Sequence, residues 1–214
     1  MKVCVIGLGR FGYNVATTLT ERGIEVLAID SNESIIASIR DFVTQAICLR
    51  IADEASLRSI GVDEMDIVVV ATGENFAQSI LITALLKKRL HVPRVITRSI
   101  NEIHRDIVTL IGADETVIPE QEIGIKLAER LSSPFIQFFR ITKQFSISQI
   151  SAPASFINQS LQDLELYKNF NVRCLAKKEG DEYLPVSPAY VISDGDMLLF
   201  AGREVDLRKI LRLS

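Results

Sequence analysis

Residues 3–30, VCVIGLGRFGYNVATTLTERGIEVLAID, run as a short apolar strand, a glycine-rich turn, an amphipathic helix and a second strand that closes on an acid. Few folds admit that succession. Gly7, Gly9 and Gly12 form G-x-G-x-x-G directly after a strand and at the start of a helix. The first glycine permits the tight turn, the second lets backbone approach a phosphate, and the third lets helix and strand lie close, with phosphate oxygens facing the helix N-terminus. Asp30 closes the second strand, where a carboxylate accepts from ribose hydroxyls, so an unphosphorylated 2′-hydroxyl is expected: an NAD-like or adenosine ligand rather than NADP. Asp30 does not separate NAD from ATP. Arg10 lies inside the turn, where a planar charged donor could grip a phosphate of its own ligand or of a neighbouring subunit's. A solvated arginine at a helix start is the plain alternative.

The same alternation continues to about residue 118. The apolar segments KVCVIG, EVLAID, QAICL, DIVVVA, RVITR and ETVI read as strands buried on both faces, and the amphipathic segments between them read as helices. Right-handed crossovers then give an α/β, Rossmann-like doubly wound parallel sheet. PEQEIGIKLAERLSS reads as one more helix with Pro119 in its first turn, stopped at Ser132, Ser133 and Pro134. The expected division is a nucleotide-binding domain over 1–133, a crossover over 134–144, and a small α+β domain over 145–214. In the last, a strand precedes a short helix over SLQDLELY, strands NVRCLAKKE and DMLLFAG, and a terminal helix VDLRKILRL. At about 70 residues such a module is marginal alone, so packing on a copy of itself is expected. Phe135, Ile136, Phe138 and Phe139 at the junction suggest a further buried contact, or else ordinary interdomain core.

Composition narrows the function. A net charge of -3 and a pI near 5.5, with signs mixed along the 214 residues, leave no global basic field, so nucleic acid is a poor partner. Cys4, Cys48 and Cys174 stand singly, without zinc or disulfide spacing, which suits a reducing cytoplasm. No export signal opens the chain, and runs such as IVVVA and MLLFA fall far short of the roughly 20 residues that span a bilayer, so any membrane role is expected to pass through a partner. A dehydrogenase would need a proton donor or base beside its nicotinamide. The two histidines, His91 in a loop and His104 on the polar part of a helix, read as surface residues, and 145–214 carry no nucleophile or metal-ligand motif. A small NAD-dependent oxidoreductase or NAD(H) redox sensor is the second reading of the same glycine turn.

VIGLGRFG, ATGEN, IGADETVIPEQEIG and SDGDMLLFAG, in that order, resemble the RCK family, the regulators of potassium conductance, and within it the cytoplasmic gating subunits of bacterial Ktr and Trk potassium uptake systems. The likeness implies a non-enzymatic homo-oligomeric ring of RCK dimers, often an octamer, under a membrane potassium channel, changing shape with ATP or ADP. NAD or NADH serves some relatives. Carried over by position, Gly7, Gly9, Arg10, Phe11 and Gly12 would be the phosphate turn and Asp30 with Asn32 the ribose side. Ala71, Thr72, Gly73 and Asn75 match the loop after the fourth strand, Arg98 the basic end of the fifth, and Glu120 a family acid that can contribute to a divalent-cation site. A favourable carboxylate in a helix's first turn also accounts for Glu120. One departure stands out: where the family commonly has Asp or Asn followed by Ala against adenine, this chain has Arg50 and Ile51. Arginine cannot accept from the adenine amino group, although it can stack on the ring or reach a phosphate. Some relatives bind cyclic di-AMP between paired C-terminal domains, and Arg173, Lys177 and Pro188 lie near the matching segment, where a strand with solvated ends is the simpler reading.

Overall fold

The computed structural model describes residues 1–73, 75–132, 137–142 and 144–213. It divides into two compact units, Met1–Gly124 and Ile125–Ser214. The first alternates β1 (Lys2–Ile6), α1 (Arg10–Glu21), β2 (Glu25–Asp30), α2 (Glu33–Ile39), β3 (Gln45–Cys48), α3 (Glu54–Arg58), β4 (Ile67–Val70), α4 (Phe76–Lys88), β5 (Arg94–Arg98), α5 (Glu102–Ile111) and β6 (Glu115–Val117), and it ends in the first turns of α6 (Pro119–Ser132). All five strand pairings are parallel, in the order β3-β2-β1-β4-β5-β6. Because side chains alternate across a strand, Cys4 and Ile6 enter one core with Ile29, Val70, Leu57 and Leu86, while Val3 and Val5 enter the opposite core with Ala16, Ala28 and Ile39. Two buried faces explain why the inner strands β1, β2 and β4 read as unbroken apolar runs, whereas the edge strands β3 and β6 are only partly buried. The strand order reverses between β1 and β4, which opens a crevice at their carboxyl ends.

The second unit holds β7 (Gln137–Arg140), β8 (Ser146–Ser151), α7 (Leu166–Phe170), β9 (Val172–Glu179), β10 (Glu182–Pro185), β11 (Met197–Gly202) and α8 (Glu204–Leu211). Its sheet is antiparallel, ordered β10-β9-β11-β8-β7. The core gathers Ile150, Val172, Leu198 and Phe200 from the strands with Leu166, Leu207 and Ile210 from the helices. The helix expected over SLQDLELY begins instead at Leu166. Upstream, Ser160 bridges Val191, its hydroxyl donates to the Asp163 carboxylate at 2.6 Å, and Glu165 adopts φ 43°, so a continuous helix cannot form. β10 and β7 add two strands that the apolar pattern does not announce. Ser133 and Pro134, where the sequence puts its boundary, lie outside the described residues, as do Phe135, Ile136 and the Phe138 side chain; Phe139 is 55% exposed.

His104 corrects the sequence reading: it is buried between α4 and α5, not on the surface. Its Nδ1 accepts from the Ile100 N–H at 3.3 Å, its Nε2 lies 2.6 Å from the Ser79 hydroxyl, and its ring packs against Phe76 at a tilt of 49° with centroids 4.5 Å apart. With Nδ1 accepting from backbone, the proton sits on Nε2 and is donated to Ser79. Burial pushes the imidazole below its ordinary 6.5. The unfolded chain therefore takes up a proton that the folded chain refuses, and stability falls as pH drops from 6.5 toward the lowered folded value. Urea unfolding at pH 7.5 and 5.5 checks this: His104→Gln should flatten the difference between the two pH values, and an unchanged slope would assign it to other groups.

Candidate functional site

Gly7 follows β1 with φ +90°, and a methyl group there would stand 2.8 Å from Thr72 Cγ2 and 2.9 Å from the Thr72 nitrogen. A methyl group at Gly12 would overlap the Gly7 carbonyl oxygen and lie 3.0 Å from Ala71 Cβ. Both glycines are thus required by the protein's own packing. Gly9 differs: its φ is -63°, and a methyl group there meets none of the described residues within 4 Å. It sits at the N-terminus of α1 with open space in front of it.

That terminus is not capped from within. Asn32, Asp53, Asn75 and Asn101 each cap α2, α3, α4 and α5 with a side-chain oxygen, whereas α1 has no side-chain cap and no acid in its first turn. Its first N–H groups and its positive end stay available to an anion. Arg10 opens the helix exposed, and its guanidinium makes no hydrogen bond or ion pair among the described residues. Phe11 instead packs on the sheet core with Tyr13 and Val15.

Asp30 braces the turn: one carboxylate oxygen accepts from the Leu8 N–H at 2.7 Å and the other from the Asn32 N–H at 2.8 Å. Each oxygen keeps capacity for a ribose hydroxyl. Asn32 spends its side-chain oxygen on the Ser34 N–H. Gly7, Asp30, Ile51 and Thr72 come together around a cavity of about 50 Å³, joined by Ser31, Leu49 and Gln78, which sequence reasoning missed. A polar residue in a helix's first turn is ordinarily solvated, so Gln78 gave no signal of its own. Ile51 is 4% exposed, whereas Arg50 faces solvent outside the lining. The Thr72 hydroxyl is buried and unpartnered among the described residues, an open hydrogen-bonding position at the mouth of the glycine turn. The first glycine of the turn, the Asp30 carboxylate and the unspent Thr72 hydroxyl thus lie along one small cavity, a set that can accept from hydroxyl groups beside an anion-facing helix terminus.

The sequence profile of the TrkA-N domain matches residues 3–119, from β1 into the start of α6 and more than half of the chain. The chain belongs to the TrkA-N family. Among its curated relatives, the Ktr system potassium uptake protein A of Bacillus subtilis is 32% identical over 207 residues, covering 96% of this chain and 93% of that protein. The Ktr system potassium uptake protein C of the same organism is 32% identical over 208 residues, with the same coverage. Among solved structures, the GsuK channel bound to NAD superposes with a TM-score of 0.54 at 19% identity, over 99% of this chain and 38% of that longer one. This last likeness concerns the fold, and it spans both units.

In this TrkA-N chain the loop after β4 is tied to α6 through one arginine. The Arg98 guanidinium lies against Gly73, where a methyl group would overlap Nη1, and it donates to the Glu120 carboxylate at 2.6 Å. Its Nε is buried without a partner among the described residues. Glu120 is 68% exposed, and a backbone N–H of its own helix turn, with Arg98, holds its carboxyl below the usual carboxylate range despite some desolvation. Among the described residues no three His, Cys, Asp or Glu side chains come together as a metal set. Asn75 is occupied as the α4 cap, accepting from the Gln78 N–H at 3.0 Å, and Glu74 of the same loop lies outside the described residues. In the second unit, Arg173 and Pro188 line a cavity of about 390 Å³ with Tyr167, and Arg173 stands over the Tyr167 ring at 5.1 Å. Lys177 lies outside that lining, over Tyr190 at 5.6 Å.

Proposed function

We propose that this chain is a nucleotide-sensing regulatory subunit of a potassium uptake system, binding ATP or ADP in the β1/β4 crevice and biasing a membrane channel partner through the shape of a homo-oligomeric ring. The observation that carries the reading is the α1 terminus, left uncapped and acid-free beside an arginine unpartnered among the described residues, while α2 to α5 are capped by their own side chains. The whole-chain kinship with Ktr potassium uptake proteins supplies the context. A nucleotide biases such a ring only by binding one shape better than another, so triphosphate and diphosphate must differ in some contact. Among the described residues Asp30 is the one ionisable side chain lining the cavity, and backbone N–H groups engage both its oxygens, which favours holding a ligand over moving its protons. NAD or NADH is the alternative occupant, because the same ribose and diphosphate contacts serve it.

Exposed Ile103 and Leu110 on α5 and Ile123, Ile125 and Leu131 on α6 support self-association. Among the described residues no helix is long and apolar enough to cross a membrane, and engagement of the membrane is assigned to the channel partner. Glu120 is the residue that would hold a divalent cation arriving with ATP, once its pairing with Arg98 opens. The Arg173–Tyr167 cavity supports cyclic di-AMP as a second ligand, which calorimetry on the full chain reads directly.

Titration with ATP, ADP, NAD and NADH, with light scattering on the same samples, tests the proposal; turnover of NADH with an oxidisable substrate, or a strict monomer throughout, would sink it. Arg10→Ala is its sharpest arm. A charge-assisted contact to one phosphate is worth about 1.5–3 kcal/mol, so the ATP-to-ADP affinity ratio should fall on the order of tenfold or more with the fold intact. An unchanged ratio moves phosphate sensing to Glu120 and its cation.

A further inference from the structure

The cavity continues past Asp30 to Leu49, Ile51 and the first turn of α4, which is where the base of a nucleotide held at Asp30 by its ribose must lie. Leu49, only partly buried, offers apolar surface for a ring beside the buried Ile51. Two polar groups at this end are unspent. The Ile51 N–H donates to no acceptor among the described residues. The Gln78 amide turns its Nε2 toward the Ile51 carbonyl oxygen, at 3.5 Å, and its Oε1 accepts from nothing among the described residues. A carbonyl can only accept, so it fixes which way round the amide sits and leaves Oε1 as the acceptor. The base end therefore presents one donor from backbone and one acceptor from Gln78.

That pair is complementary to adenine, whose ring N1 accepts and whose 6-amino group donates, and opposed to guanine and hypoxanthine, whose N1–H donates and whose O6 accepts. Arg50 supplies no acceptor here, being a pure donor that faces solvent. We propose that Gln78 is the base-reading residue of this site, selecting 6-aminopurine nucleotides over 6-oxopurine ones together with the Ile51 N–H. The proposal rests on the nucleotide reading given above and concerns specificity within it. With the wrong base, two acceptors and two donors face each other in the lining, so rejection comes from unpaired polar groups as well as from lost bonds.

Calorimetric titration of the full chain with ATP, GTP and ITP separates the two levels. The expected result is binding of ATP at least tenfold tighter than ITP or GTP. Gln78→Leu, a good helix former of similar size, should weaken ATP roughly fivefold and bring the ATP-to-ITP ratio toward unity, with the melting temperature preserved. Gln78→Glu keeps an acceptor and should retain a preference for ATP, which ties the effect to hydrogen bonding rather than to packing. Equal affinity of the wild-type chain for ATP and ITP, or a ratio untouched by Gln78→Leu, overturns the assignment of Gln78 while leaving nucleotide binding in place. Failure of all three nucleotides to bind overturns the nucleotide reading and this proposal with it.

Discussion

Gly12→Ala is expected to open the glycine turn and lose the nucleotide, because the added methyl group has nowhere to go. It would overlap the Gly7 carbonyl oxygen and press on Ala71 Cβ, and neither is the loose end of a flexible side chain. Strand, turn and helix must part to accept it, at a cost of roughly 2–4 kcal/mol. Gly9→Ala is the informative partner. Its methyl group meets none of the described residues within 4 Å at an ordinary φ of -63°, so stability should stay within about 0.5 kcal/mol of the wild type. With no described residue in its way, that methyl group would obstruct a ligand lying against the turn, and ATP affinity should fall at least tenfold. Thermal unfolding and calorimetry on the two variants give a crossed pattern: Gly12→Ala fails in both, Gly9→Ala only in binding. A Gly9→Ala protein that binds ATP like the wild type would show that phosphates do not approach the turn.

The parallel sheet was legible because burial on both faces writes itself as apolar runs, and because the glycine turn has one geometric reason per glycine. The antiparallel unit was less so. β10 carries Glu182, Leu184 and Pro185 largely in solvent at a sheet edge, so no period-2 signal survives, and only the Gly180–Asp181 turn, with Gly180 at φ +61°, betrays the hairpin. SLQDLELY has helical spacing, but a local Ser160–Asp163 hydrogen bond and the left-handed Glu165 outweigh it. At the site, Asp30 could be found from its place at the end of β2, but its bracing of Leu8 and Asn32 could not, since backbone donors leave no trace in side-chain identity. Asn32 and Asn75 matched positions in a ligand motif, yet each spends its oxygen on a helix N-terminus. His104 looked like a surface residue because its partner, Ser79, is 25 positions away on a neighbouring helix. Polar residues that satisfy one another across elements are invisible to any local pattern.

Asp30→Ala should weaken ATP and ADP by the same factor, which is what separates it from Arg10→Ala. Both ligands carry the same ribose, and loss of a charge-assisted contact to it, worth about 1.5–3 kcal/mol, lowers each affinity on the order of tenfold or more. The variant also strands the Leu8 N–H, in a residue only 2% exposed, so the turn itself loses about 1–3 kcal/mol of stability. Asp30→Asn is no rescue. Its two oxygen positions face two backbone donors, Leu8 N–H and Asn32 N–H, and an amide must turn its own NH2 toward one of them. Both variants should therefore lower the melting temperature, and both should leave the ATP-to-ADP ratio where the wild type has it. Measured at a temperature where each variant is fully folded, retention of wild-type affinity by Asp30→Ala would place the ribose elsewhere and reduce Asp30 to a brace of the glycine turn. A change in the ratio would instead mean that Asp30 reaches the phosphates through Leu8, and that the turn, rather than Arg10 alone, distinguishes three phosphates from two.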